Sequence, residues 1–220
     1  VISGVPPDVF NKKGQLWGHP IFNYDLMEKD NYTFWFNRLN HLSALFDVIR
    51  IDHFIGFVRY WATKYGEKSA KAGHWVKGPG LKMLRQIKDK CNAKVIAEDL
   101  GKINKEIIQV RDELGLTGFK VAQFGFKNKF LKEHLPHNYE KNFVAYIGNH
   151  DNDTFKGMLK KLKPHKLAFT KNYLGLPESA GIDDIIEKTI VIMFESKADV
   201  VIFTPQDLML LGSKYKMNRP

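Results

Sequence analysis

The 220-residue chain has a single cysteine, Cys91, so an internal disulfide and a cysteine-built zinc site are both excluded, which suits a reducing compartment. No stretch approaches about 20 uninterrupted apolar residues, which argues against a membrane-spanning helix and a membrane partner. The opening VISGVPPD lacks the basic and apolar blocks of a secretory signal. Low-complexity segments and internal sequence repeats are missing as well. These absences predict a cytoplasmic protein, or one of another soluble compartment such as a plastid if a transit peptide lies upstream. Acidic residues are outnumbered, 24 against 34 Lys and Arg, for a net charge of +10. Such an excess can attract nucleic acid. The lysines recur along the whole chain, however, with one denser run, KGMLKKLKPHK at 156–166, so solvated faces account for them and no nucleic-acid partner is expected. A basic binding module without catalysis stands as the competing reading from another class.

What is present is the composition of a globular protein, 44% hydrophobic. From residue 47 onward a short apolar or β-branched run repeatedly ends in polar residues and gives way to an amphipathic stretch, the rhythm of βαβ units and a parallel sheet. Five strands are predicted: FDVIRID (46–52), AKVIAED (93–99), GFKVAQF (118–124), FVAYIGNHD (143–151) and DVVIFTPQD (199–207). Helices are predicted over 31–46, 78–91, 104–114 and 183–196, with Leu81, Leu84 and Ile87 on the core face of the second and Ile107, Val110 and Leu114 on that of the third. Residues 1–27, rich in Gly, Pro and aromatics, predict a long functional loop, since those residues oppose helix and ladder alike.

The strand ends carry chemistry. Arg50 and Asp52 share one face of their strand, and an arginine beside an aspartate favours the ionised carboxylate. Asp52 is thereby suited to be a nucleophile. Glu98 follows the apolar KVIA, where burial and a second carboxylate, if near, raise its pKa and keep its proton. A depressed and an elevated carboxyl facing one site form the acid/base pair of glycoside chemistry. The C-terminal ends of parallel strands open on one face, so Asp52, Glu98 and Asp151, at three such ends, make one site. Blander readings exist for each. An acid after a strand often only caps the next helix, and NHDND can be a turn or a metal site. Asp153, before Thr154, is assigned as a cap.

Taken together, GVPPDVFNKKGQLWGHPIFNYDLM, RIDHF, YW, VIAEDLGKI, VRDELGLTGFKVAQF, PHNY, GNHDNDT and KMNRP stand in the order and approximate spacing of the 4-α-glucanotransferases of glycoside hydrolase family 77, which the chain resembles over nearly all of its length. The resemblance implies an α/β fold, a (β/α)8 TIM barrel of the α-amylase clan present here in part, as about strands four to eight. It implies retaining transfer of α-1,4-glucan segments, with glucans and maltooligosaccharides as partners and no cofactor or metal. Asp52 then matches the nucleophile, Glu98 the acid/base and Asp151 the third carboxylate, which holds hydroxyls of the distorted sugar. Arg50 matches the arginine that supports the nucleophile, and His150 a histidine that binds the same sugar. Gln15 and Trp17 match residues of a loop that covers the glucan, although an ordinary packed loop is the alternative for Gln15. His53 in RIDHF and Asn218 in KMNRP are carried over as substrate-binding. The chain departs from the family pattern at Ile55, where arginine is usual, at Asn149, where threonine is usual, and at Lys127, where an acid often stands. With five strands of eight, it is expected to be a fragment, inactive or poorly folded alone. A hydrolase of the same clan is the remaining alternative.

Overall fold

A computed structural model describes residues 1–7, 11–101, 103–128 and 131–218. The chain divides into two compact units, Val1–Thr117 and Gly118–Pro220. In chain order the first contains β1 (Ile2–Val5), β2 (Gln15–Pro20), α1 (Tyr24–Lys29), α2 (Thr33–Ser43), β3 (Val48–Ile51), α3 (Ile55–Val58), β4 (Arg59–Thr63), β5 (His74–Lys77), α4 (Gly80–Lys90), β6 (Lys94–Ala97) and α5 (Lys105–Glu113).

Two sheets form in this unit. β3 and β6 pair in parallel from Val48↔Lys94 to Ile51↔Ala97, and Thr117 adds a parallel bridge to Ile96. The second sheet is antiparallel, in the order β2-β1-β4-β5. It corrects the expectation that residues 1–27 hold no ladder. The glycines that argued against strands here are what let two of them approach: a Cβ on Gly4 would stand 2.2 Å from the Gln15 carbonyl oxygen. Gly14 turns the chain at φ +68°, a region that costs glycine little. Pro20 closes β2, an edge strand, where a missing N–H is tolerated. Asp8, Val9 and Phe10 of the expected loop lie outside the described residues.

Behind β3 and β6, helices α4 and α5 supply the core face that their apolar spacing foretells. Met83, Leu84, Ile87, Ile107, Val110 and Leu114 are buried with Phe54 and Ile49. Burying each such side chain is worth about 1.5 to 3 kcal/mol. Ile55, one of the departures, belongs to this core at 2% exposure.

The second unit holds β7 (Gly118–Val121), α6 (Ala122–Lys127), β8 (Phe143–Tyr146), α7 (Phe155–Lys160), α8 (Pro164–Tyr173), α9 (Ile182–Phe194), β9 (Val200–Ile202) and α10 (Pro205–Leu208). Its strands pair in parallel in the order β7-β8-β9. The central strand is buried on both faces, as a near-continuous apolar run should be. Phe126, Ile147, Phe155, Ile185, Ile186 and Met193 form the core beside it. All five predicted parallel strands are present but shorter than expected: residues 122–124 of the third run begin helix α6, and residues 205–207 of the fifth begin α10. Among the described residues no helix is long and apolar enough to cross a membrane.

Candidate active site

At the end of β3 the chain makes a tight turn through Asp52, His53 and Phe54, and the end of β6 locks it. The Glu98 N–H donates to the Ile51 carbonyl at 3.0 Å, and the Phe54 N–H donates to the Glu98 carbonyl at 3.1 Å. His53 takes the left-handed conformation, φ +46°, which is uncommon outside glycine though less so for histidine. Its N–H donates to Glu98 Oε2 at 2.6 Å.

Arg50 reaches both carboxyls from one nitrogen. Its Nη2 donates to Asp52 Oδ1 at 2.6 Å and lies 3.7 Å from Glu98 Oε2. The two acids differ in exposure, and the difference decides their chemistry: the Asp52 side chain is 76% exposed, that of Glu98 16%. Burial, then the neighbouring Asp52 charge and a hydrogen bond to Asp52, push Glu98 up to about 7, against the opposing pull of the His53 N–H and Arg50. A group poised near neutrality can both give and take a proton at working pH. The His53 ring is held below its usual range by burial, with Asp52 opposing, so it is neutral near pH 7. It meets Trp17 in a T-shaped arrangement with centroids 4.7 Å apart, and Trp17 Nε1 donates to Gln15 Oε1 at 3.2 Å. Gln15 and Trp17 are i and i+2 on β2 and so share a face.

The capping alternative does not hold for Asp52 or Glu98. Phe54 precedes α3 with no side-chain cap, and α5 is capped by Asn104, whose side chain accepts from the Ile107 N–H. Asp99 is spent differently: it is buried and accepts from Arg111 Nη1 at 2.5 Å, tying the end of β6 to α5.

In the second unit the acid beyond β8 is arranged by amides. Asp151 Oδ1 accepts from Asn218 Nδ2 at 3.1 Å, its N–H donates to Asn149 Oδ1 at 3.0 Å, and His150 Nε2 stands 3.3 Å from Oδ2. Asp151 and His150 are about half exposed. Asn149, a departure from the family pattern, thus serves the loop backbone. The cap of α7 is Thr154, whose hydroxyl accepts from the Gly157 N–H, and this corrects the assignment of Asp153. Asp153 instead accepts from Lys161 Nζ at 2.6 Å, Ser213 Oγ at 2.9 Å and the Thr154 N–H. Burial alone would raise the Asp153 carboxyl, but these partners hold it below its usual range.

Sequence reasoning passed over Asp207. It is 2% exposed, and its Oδ1 accepts from the Phe155 N–H at 2.7 Å, anchoring the start of α7. Its place in TPQD, after a strand, was the available signal. Lys127 is partly buried, and burial lowers it despite Asp153 nearby. The structure therefore assembles Gln15, Trp17, Arg50, Asp52, His53 and Glu98 in one unit, and His150, Asp151 and Asn218 in the other. Among the described residues no group of three or more His, Cys, Asp or Glu could hold a metal ion.

A family model described as 4-alpha-glucanotransferase matches residues 1–220. The chloroplastic/amyloplastic 4-alpha-glucanotransferase DPE1 of Arabidopsis thaliana is 42% identical over 221 residues, covering 100% of this chain and 38% of the relative. The 4-alpha-glucanotransferase of Clostridium butyricum is 40% identical over 224 residues, covering 100% of this chain and 45% of the relative. Among solved structures, the amylomaltase of Streptococcus agalactiae in complex with acarbose superposes with a TM-score of 0.92 at 32% identity, covering 100% of this chain and 44% of that one. The chain thus spans less than half the length of these relatives.

Proposed function

Because this chain belongs to the 4-alpha-glucanotransferase family, we propose that the protein carrying it transfers α-1,4-glucan segments to the 4-hydroxyl of an acceptor sugar with retention of configuration. The observation that carries this reading is Arg50 Nη2 set against both carboxyls, one exposed and ion-paired, the other buried and poised near 7. Retaining chemistry needs two carboxyls close together, about 5 Å apart, with different proton affinities.

Glu98 donates its proton to the glycosidic oxygen as the Asp52 carboxylate attacks the anomeric carbon. The leaving glucan departs and a covalent glucosyl ester on Asp52 remains. Glu98, now ionised, takes the proton of the acceptor 4-hydroxyl, which displaces Asp52 and restores the starting state. Arg50 holds Asp52 in line for attack. Asp151, with His150 and Asn218 beside it, takes the role of the third carboxylate, binding sugar hydroxyls more strongly as the ring flattens. Trp17 offers an aromatic face to the sugar, and the segment bearing it keeps water from the ester, so that a bound hydroxyl wins by proximity. The five parallel strands are those of a (β/α)8 barrel of the α-amylase clan. α-1,4-Glucans and maltooligosaccharides are the partners.

The test is incubation of the protein with maltotriose. Transfer gives glucose and lengthened oligosaccharides in equal moles, and acarbose, the ligand of the S. agalactiae amylomaltase, competes. Glu98→Gln lowers kcat by about 10² to 10⁴. Glucose released with no lengthened product would replace transfer by hydrolysis, and an unaffected Glu98→Gln variant would remove Glu98 from the mechanism.

A further inference from the structure

We propose that His53 is a positioning residue whose left-handed backbone, rather than its ring, supplies the fixed hydrogen bond that holds ionised Glu98 between its two proton transfers. The inference rests on Glu98 being the acid/base.

Three observations carry it. The His53 N–H to Glu98 Oε2 contact, at 2.6 Å, is shorter than the 3.7 Å from Arg50, whose near partner is Asp52 at 2.6 Å. That N–H is aimed by φ +46° at a residue that is not glycine, and such a backbone persists only where its surroundings fix it. Here they do: the peptide that follows is tied at both its groups, by the Phe54 N–H to the Glu98 carbonyl and the Gly56 N–H to the His53 carbonyl at 2.8 Å, and the chain just before Asp52 is tied by the Glu98 N–H to the Ile51 carbonyl. The ring is engaged elsewhere, in a T-shaped contact with Trp17, and a Cβ on Gly56 would already stand 3.4 Å from it.

The charged groups facing Glu98 are Asp52 and Arg50 from the β3 end. Asp52 disfavours the ionised form, and Arg50 and the His53 peptide favour it. With Oε2 occupied by the peptide N–H, the transferred proton belongs on Oε1. The family carboxylates define the reaction; this peptide would define the pH range over which Glu98 can perform both halves of it.

The experiment compares His53→Gly, which keeps the left-handed turn and removes the ring, with His53→Val, whose β-branched side chain disfavours that turn. Both are made in the full-length protein, and the pH dependence of kcat/KM for maltotriose disproportionation is measured. The alkaline limb moves up by about one pH unit in His53→Val and stays in place in His53→Gly, whose rate falls with the lost Trp17 contact. Equal shifts in both variants, or a shift in neither, overturn the proposal. If His53→Val is not recovered folded, His53→Ala replaces it, with a smaller shift in the same direction. A 13C titration of the Glu98 carboxyl, assigned with Glu98→Gln, reads the same shift without any turnover. A parent protein that titrates as expected but transfers no glucan refutes the role of Glu98 and leaves the hydrogen bond standing.

Discussion

Glu98 and Asp151 both stand just beyond the end of a parallel strand, yet the two units hold them in opposite ways. Glu98 is buried, meets a second carboxyl and an arginine, and is shifted to about 7. Asp151 is half exposed and is oriented by the Asn218 and Asn149 amides, with the His150 ring 3.3 Å from Oδ2. One environment sets a proton affinity; the other sets a direction. This is what the two proposed roles ask for, since an acid/base must exchange protons at working pH whereas a hydroxyl-binding carboxylate need only stay ionised and aimed.

The comparison breaks most visibly in rate. Glu98→Gln should lower kcat by about 10³ and abolish the alkaline limb of the pH profile, because the group that titrates there is gone. Asp151→Asn should lower kcat by about 10² while leaving both limbs where they were, since the aspartate contributes charge at a fixed place. Initial rates on maltotriose from pH 5 to 9 decide between these outcomes. A displaced alkaline limb in Asp151→Asn would mean that the Asp151 charge also acts on the proton affinity of Glu98.

Stability gives the next largest effect, and its sign is opposite to that of activity. Glu98 rises from an ordinary 4.5 to about 7 on folding, so the native state holds this proton more tightly than the unfolded chain. Stability is therefore lost as pH climbs from about 4.5 to 7, and the deficit persists above that range. Glu98→Gln should be more stable than the parent by up to about 3 kcal/mol at pH 8 and equal to it at pH 4. His134, in the second unit, carries the mirror liability. Burial, aided by Lys120, drops its ring from 6.5 to about 3, and its Nδ1 accepts from the Val121 N–H. That contribution is complete above pH 6.5 and is lost as pH falls toward 3. Urea denaturation of the parent and of Glu98→Gln at pH 4, 6 and 8 separates the two.

How much of this was legible depends on whether a partner lies nearby in sequence. The runs ending in Asp52, Glu98 and Asp151 announced their strands, because an apolar stretch cut off by an acid is a local pattern. Leu84, Ile87, Ile107 and Val110 announced the core faces of α4 and α5 by spacing alone. The antiparallel sheet was invisible for the converse reason: Ile2 pairs with Thr63, and Gly4 reads as a breaker until Gln15 is known to lie against it. Asp153 looked like a cap because Ser213, its partner, is 60 residues away. The Arg50 and Asp52 pair was legible, being two residues apart. The His53 peptide was not, since no sequence signal tells that a histidine will adopt φ +46°.

Asp153→Asn tests whether the direction of Asp151 depends on its wider frame. It removes the ion pair with Lys161 and weakens the bond from Ser213, in a carboxyl that is mostly buried. A loss of about 1 to 2 kcal/mol is expected. Because folding holds this carboxyl below its usual range, the loss should be full at neutral pH and fade as pH falls through the folded pKa. Its effect on the reaction should fall on KM for maltotriose more than on kcat.

The smallest effect is the sharpest test of the contrast. Asn218 touches Asp151 by one exposed hydrogen bond, Nδ2 to Oδ1 at 3.1 Å. Water can replace such a donor, so Asn218→Ala should leave folding unchanged and cost the reaction about 3- to 10-fold. If the amide only aims the carboxylate, the loss lies in KM, since sugar binding pays for fixing a side chain that was fixed before. If the amide also strengthens the carboxylate's hold on the sugar at the transition state, kcat falls with it. The KM outcome leaves Asp151 as a directed charge, distinct in kind from Glu98; the kcat outcome makes the Asn218 and Asp151 pair a tuned group in its own right, and the difference between the two units one of degree.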